Sequence, residues 1–181
     1  MSTTATALPT GTWNVDPTHS RIGFRVKHLG ISTVHGKFNE FEGQLVTADD
    51  GSVTATGTVQ VASVDTGDEG RDTHLRSADF FDVETYPEIT FQSTSITAKD
   101  EDTYEIVGDL TMHGVTNPIT LTADVGQDVD PWGNDRVGLE ATATINRSDW
   151  GMKFHMALGS GNAVVSDKIK LELDIEAVKA A

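Results

Sequence analysis

Period-two alternation of apolar and polar residues runs along almost the whole chain, and it constrains the fold more than any other feature. Val53, Ala55, Gly57, Val59 and Val61 alternate with Thr54, Thr56, Thr58 and Gln60. Val137, Leu139, Ala141, Ala143 and Ile145 alternate with Arg136, Glu140, Thr142 and Thr144. Ile169, Leu171, Leu173 and Ile175 alternate with Lys168, Lys170, Glu172, Asp174 and Glu176. A repeat of two puts successive side chains on opposite faces, so each strand has one apolar face and one wet face, as antiparallel sheets do. The 24 threonines suit such half-exposed pleated surfaces. Strands are expected near residues 12–16, 20–28, 34–47, 52–61, 88–97, 103–113, 116–126, 135–147 and 164–178. Turn-forming clusters at 49–51, 99–102, 113–118 and 131–135 separate them.

Two segments break the pattern. Residues 66–82 lack alternation and read as a short helix, with Thr66 or Asp68 as its cap and Asp72 and Arg76 paired one turn apart. Residues 148–163 read as a Gly-bearing loop carrying Trp150, Met152, Phe154 and Met156. Within 34–47 the phase changes: Val34, Gly36 and Phe38 share one face, and Phe41, Gly43 and Leu45 share the next. The odd step between Phe38 and Phe41 predicts a bulge that turns a corner.

Sequential strands of this kind form a sandwich or a closed barrel. Fourteen residues at ~3.3 Å give roughly 46 Å of strand, or a wall about 35 Å tall at a tilt near 40°. Long strands favour closure, which removes exposed edges. The expected fold class is therefore all-β: an extended antiparallel eight-stranded barrel with the short helix at one end. Facing inward by parity are Ile22, Phe24, Val26, Phe38, Phe41, Leu45, Val59, Phe91, Leu110, Met112, Leu121, Leu139 and Leu173. Small residues are mixed with them: Gly23 or Gly36, Gly43, Ala55, Gly57, Gly108, Ala123, Ala141 and Ala143. A dry channel and a filled core with small residues at the taper both satisfy this pattern.

Composition excludes several function classes. The chain has 181 residues, no cysteine, and 13 basic against 28 acidic side chains, for a net charge of −15. Disulfide scaffolds and Cys-ligated metals are out. Nucleic acid would be repelled, and so would an anionic membrane surface. No run of about 18 apolar residues exists to span a bilayer. Residues 1–10 are expected to be a frayed tail without signal-peptide features, which points to the cytoplasm, and residues 11–181 to be a single barrel domain.

Four blocks, TWNVDPTHSRIGFRVKHLGISTVHGKF, RDTHLRSADFFDVETYPEITF, GDLTMHGVTNPITL and VVSDKIKLELDIEA, resemble the YceI-like proteins, a lipocalin-like family of extended antiparallel barrels. The resemblance covers roughly residues 11–178. It implies a carrier or storage role for a polyisoprenoid or isoprenoid-quinone type amphiphile, with no cofactor and no catalysis. Many relatives carry a secretory signal, which this chain does not show at its start.

The remaining chemistry is sparse. His19, His28, His35, His74, His113 and His155 have no metal-ligand spacing. His28 shares parity with Ile22, Phe24 and Val26, and reads either as a core histidine or as a contact to a ligand head at the mouth. Arg71, His74, Phe80 and Phe81 read either as a lid over one end, its cations available to a diphosphate or quinone oxygen, or as a helix whose Phe80 and Phe81 simply cap the barrel while Asp72 and Arg76 pair in solvent. Trp150, Met152, Phe154 and Met156 read either as a roof over the other mouth or as a loop packed against the barrel. No nucleophile elbow or dinucleotide loop is present, the 159–161 Gly-Ser-Gly included, and Asn146-Arg147-Ser148 reads only as a glycosylation sequon. Three functions remain: a carrier of a long-chain isoprenoid or related lipid, an isomerase or hydrolase using His28 and a carboxylate in the same cavity, and a stress-related interaction protein with a filled barrel. A homodimer is expected only from the general frequency of twofold assemblies.

Overall fold

Each alternating run pairs antiparallel with a neighbour, and the last pairs back onto the first. A computed structural model describes residues 8–156 and 164–181. Among these, the strands are β1 (Gly11–Val15), β2 (Arg21–His28), β3 (Ser32–Phe38), β4 (Phe41–Thr47), β5 (Val53–Gln60), β6 (Val64–Asp65), β7 (Glu88–Ala98), β8 (Thr103–Met112), β9 (Val115–Val129), β10 (Asp135–Asn146) and β11 (Val165–Lys179). Trp13 of β1 lies opposite Leu45 of β4 and Lys179 of β11, which closes the ring. β2 continues β1 along β11, and β3 leads into β4, so the result is an eight-stranded closed antiparallel barrel.

Two of the eight walls are broken in their middle. Between β1 and β2, Pro17–His19 forms a 3₁₀ turn, capped by Asp16 Oδ1, which accepts from the Thr18 N–H at 3.0 Å. Between β3 and β4, Asn39 and Glu40 interrupt the strand and restore the inward direction of Phe41 after Phe38, as the phase change predicts. One expected loop is shorter than its composition suggests. His113 (φ 54°) and Gly114 (φ 74°) make a two-residue turn whose left-handed pair matches strand twist, so β9 starts at Val115. Pro118 then falls in a stretch of β9 outside its pairing with β10, where its missing N–H removes no bond to β10.

That unpaired stretch leaves a gap between β9 and β10, and the 3₁₀ turn Arg147–Trp150 fills it. Trp150 Nε1 donates to the Leu110 carbonyl at 2.9 Å, Asn117 Nδ2 to the Asp149 carbonyl at 2.8 Å, and His113 Nδ1 to the Trp150 carbonyl at 3.0 Å.

The helix α1 spans Glu69–Arg76, shorter than the 66–82 expected, with Asp68 Oδ1 capping the Arg71 N–H at 2.8 Å. The expected Asp72–Arg76 pair does not form. Asp72 is buried and accepts from the Thr66 N–H (2.9 Å) and hydroxyl (2.5 Å). Arg76 instead donates to the Ala62 carbonyl at 3.1 Å and pairs with Glu69 at 3.6 Å. An otherwise orphaned amide claims the buried carboxylate, and the longer arginine reaches past it.

Two apolar clusters line the interior. The larger runs from Phe24, Phe38 and Leu121 to Trp150 and Met152 at the α1 end. The smaller, Trp13 (0% exposed), Leu45, Val137 and Ala177, packs the opposite end. Leu8 packs against this second cluster, and the Pro9 carbonyl accepts from Trp13 Nε1 at 3.3 Å. The barrel's contacts therefore begin before Gly11, inside the segment expected to fray; residues 1–7 lie outside the described residues, as do 157–163 with their Gly-Ser-Gly.

Candidate functional site

The alternation that closes the wall also lines its interior. An apolar cavity of about 260 Å³ lies inside the barrel, reaching from Leu75, Phe81 and Met152 at the α1 end to Leu45, Ala55 and Ile175 near the Trp13 cluster. All thirteen side chains assigned inward by parity line it, Ile22, Val26, Phe41, Val59, Met112, Leu139 and Leu173 among them. The interior is neither filled nor wide. Glycines decide where it is open. A side chain at Gly36 would strike the Phe24 ring and one at Gly108 the Phe91 ring, so both rings lie against bare backbone. Gly23, the alternative to Gly36, faces Arg21 instead. At Gly57 an added Cβ would meet only the Glu42 carbonyl, at 3.6 Å, and the wall beside the cavity is open there.

The α1 end covers the lumen. Leu75, Phe80 and Phe81 line the cavity, with the Phe81 ring edge-on to Phe38 at 5.8 Å. The polar groups expected beside them do not reach it. Arg71 is exposed and spends its guanidinium on Thr66, through Nε to the hydroxyl (2.7 Å) and Nη2 to the carbonyl (2.8 Å). His74 is exposed, pairs through Nε2 with Asp79 at 2.9 Å, and packs against Phe80 and Phe154. His28 is exposed at the end of β2 and lines no part of the cavity. Its parity points inward, but it stands past the last ring of lumen side chains, beside the β2–β3 turn.

Trp150 is buried in the gap between β9 and β10, outside the cavity lining, and Phe154 stacks on Phe80 with ring centres 5.0 Å apart. The 148–156 segment therefore sits at the same end as α1 and not over the opposite mouth. β10 runs toward α1, so the segment after Asn146 must emerge there.

One polar residue missed by sequence reasoning does reach the lumen. Arg147 is 5% exposed and lines the cavity. Nε donates to the Ser166 carbonyl (3.0 Å), Nη1 to Met152 (2.8 Å) and Nη2 to Val165 (3.2 Å), and Cζ lies 5.8 Å from the Phe80 ring centre. Burial lowers its pKa below the usual arginine value. Its partners come from residues after β10, so no local pattern announces it.

Outside the barrel, Asp16, His19 and Glu176 place potential ligand atoms within 4.8 Å of one another. Arg136 Nη1 already sits 3.2 Å from Asp16 Oδ2 and 3.3 Å from Glu176 Oε2, with Nε 2.8 Å from Asp130. A guanidinium balances these carboxylates, and the cluster ties the β1–β2 turn to the wall. An open depression of about 820 Å³ beside it is rimmed by Asp124, Asp128, Glu140 and Asp174 and faces solvent.

A closed barrel with an apolar lumen, one end packed shut and the other covered by a short helix, defines a hollow-barrel class of protein. The chain belongs to the YceI-like family, whose domain model matches residues 13–177. It is 42% identical over 165 residues to a UPF0312 protein of Pseudomonas aeruginosa, and 38% identical over 164 residues to one of Pseudomonas putida, covering 89% of this chain and 82% of each relative. Among solved structures it resembles the Campylobacter jejuni YceI protein (TM-score 0.73, 30% identity, 86% of this chain and 90% of that one). A polyisoprenoid-binding domain from Saccharophagus degradans, implicated in plant cell wall breakdown, shares the fold (TM-score 0.74, 18% identity, 95% of this chain and 100% of that one). No helix among the described residues is long and apolar enough to cross a membrane.

Proposed function

We propose that this chain binds an isoprenoid amphiphile in its lumen and carries or stores it, without catalysis. The observation that supports this reading is the dry cavity, bounded by the Trp13 cluster at one end and by Phe80 and Phe81 at the other. The polyisoprenoid-binding relative with the same fold favours the same ligand class. Burying an isoprenoid tail gains on the order of 25 cal/mol per Å² of apolar surface, less the cost of ordering a flexible chain. The lumen is narrow, so a long tail needs Phe24, Phe38 or Phe91 to swing aside, or leaves past α1. The enzyme alternative has less support, because His28, its expected base, lies outside the cavity, whose lining includes Glu42 but no histidine among the described residues.

Organic extraction of freshly purified protein, followed by mass spectrometry, tests the reading. An isoprenoid at near-stoichiometric yield is the expected result. Protein that repeatedly yields none, and takes up neither isoprenoid alcohols nor quinones, would overturn it.

A further inference from the structure

Arg147 is the one buried cation among the described residues. Its acceptors, the carbonyls of Met152, Val165 and Ser166, are neutral. No carboxylate of the described residues lies within ion-pair distance of it. Asp167, the acid that acts on it through space, is occupied by the Ser148 N–H (2.9 Å) and hydroxyl (2.8 Å). A guanidinium has five N–H groups. Three are used, and one on each terminal nitrogen has no acceptor among the described residues.

The carbonyls and the Phe80 ring hold the guanidinium in a fixed position at the lumen wall. Asp167 acts on its charge only through space and no carboxylate of the described residues touches it, so the buried charge is costly in an apolar interior unless an anion is brought to it. A residue needed only to bridge three carbonyls has no use for a full positive charge facing a cavity whose surface is mostly apolar, with Glu42, Gln44, Thr56, Thr58 and Thr90 its other polar lining residues.

We propose that Arg147 receives the oxyanion head, such as a phosphate monoester, of the amphiphile whose tail occupies the lumen. This inference rests on the lumen-binding reading above. It orients the ligand, with its head at the α1 end under Phe80 and its tail toward Trp13. The two spare N–H groups supply charge-assisted hydrogen bonds, and the surrounding apolar wall strengthens them by excluding water.

Farnesyl phosphate and farnesol, identical in tail, separate the head from the tail. Their binding to delipidated full-length wild type, R147M and R147K is measured by titration calorimetry. Wild type is expected to favour the phosphate by about tenfold or more, the usual worth of a hydrogen bond to a charged group. R147M loses that preference but keeps farnesol affinity, and R147K retains part of it. Equal affinity of wild type for both compounds, or an undiminished preference in R147M, overturns the proposal and leaves the lumen reading standing. Binding of neither compound overturns both. A measurement on wild type alone guards against a misfolded variant: the Arg147 Nε–H resonance shifts with farnesyl phosphate but not with farnesol, and an unmoved resonance overturns the assignment. Inorganic phosphate, lacking a tail, is expected not to displace farnesyl phosphate; displacement would make this a site for free anions and overturn the head-group role.

Discussion

At Gly57 a side chain would enter empty space, whereas at Gly36 and Gly108 it would drive into an aromatic ring. The three positions look alike in sequence and differ only in which cross-strand neighbour fills the inner face. Gly57→Leu is therefore expected to keep the fold, with a melting temperature at or above that of wild type, and to lower isoprenoid uptake by about tenfold or more by filling the lumen with hydrocarbon. Gly108→Leu is expected to destabilise by about 1–3 kcal/mol through overpacking against Phe91. Thermal melts and fluorescent-lipid titrations of the two variants decide; unchanged uptake in Gly57→Leu would show that ligand does not occupy this part of the barrel. Parity made the lumen legible because it is a local property: each of Phe24, Phe91 and Leu121 faces inward whatever the rest of the chain does. Depth along the barrel axis is not local. His28 has inward parity yet stands beyond the lumen, and Arg147 turns inward only because Met152, Val165 and Ser166 fold back over it.

Two elements depend on ion pairs and caps more than on apolar packing. The turn between β1 and β2 is held by Asp16, His19, Arg136 and Glu176. The hydrogen bond that His19 donates to Asp16, followed by the charge of Glu176, raises the His19 pKa above 6.5. A raised pKa stabilises the fold fully below pH 6.5, and that contribution is lost as pH climbs through the folded value. Asp16 and Asp130 are displaced the other way, held well below 3.8 first by Thr18 and by Arg136 respectively. Their contribution is present above pH 3.8 and is lost as the solution becomes strongly acid. Because His19 is largely exposed, its effect is small: a shallow fall in melting temperature from pH 6.5 upward, absent in His19→Gln. Identical profiles for the two proteins would remove His19 from the turn's stability. The helix α1 has only eight residues, too few to persist without tertiary contacts. Asp72→Ala leaves the Thr66 amide unmatched and is expected to cost about 1–3 kcal/mol. Faster amide exchange confined to residues 66–82 is the signature to seek, and ligand release is expected to quicken with it.

Over the whole molecule, the strand order fixes which loops share an end, and that order is itself readable from sequence. In an up-and-down barrel the connections after β5, β8 and β10 emerge together, so counting strands places the 148–156 segment beside α1. Composition and side-chain chemistry alone suggest a second roof. The same topology gathers acidic residues on the hairpins opposite α1. The hairpins at the Trp13 end carry Asp49, Asp50, Asp100, Glu101, Asp102, Asp128, Asp130 and Asp135. At the α1 end both signs are mixed, Lys27, Arg71, Arg76, Lys153 and Lys168 standing among Asp68, Glu69, Asp79, Asp82, Glu84, Asp149 and Asp167. Like charges crowded on three adjacent loops repel, and the repulsion is screened as the Debye length shrinks from about 30 Å at 0.01 M salt to about 10 Å at 0.1 M. The melting temperature is therefore expected to rise with sodium chloride over that range. Asp49 and Glu101 make no side-chain hydrogen bond or ion pair among the described residues, so exchanging them for lysine alters charge without removing a contact. The double variant Asp49→Lys, Glu101→Lys is expected to melt higher than wild type at low salt and to show a flatter salt dependence. If wild type instead melts at one temperature across the whole range, the acidic end is already neutralised by bound counterions, and the repulsion assigned to these loops does not act on the fold.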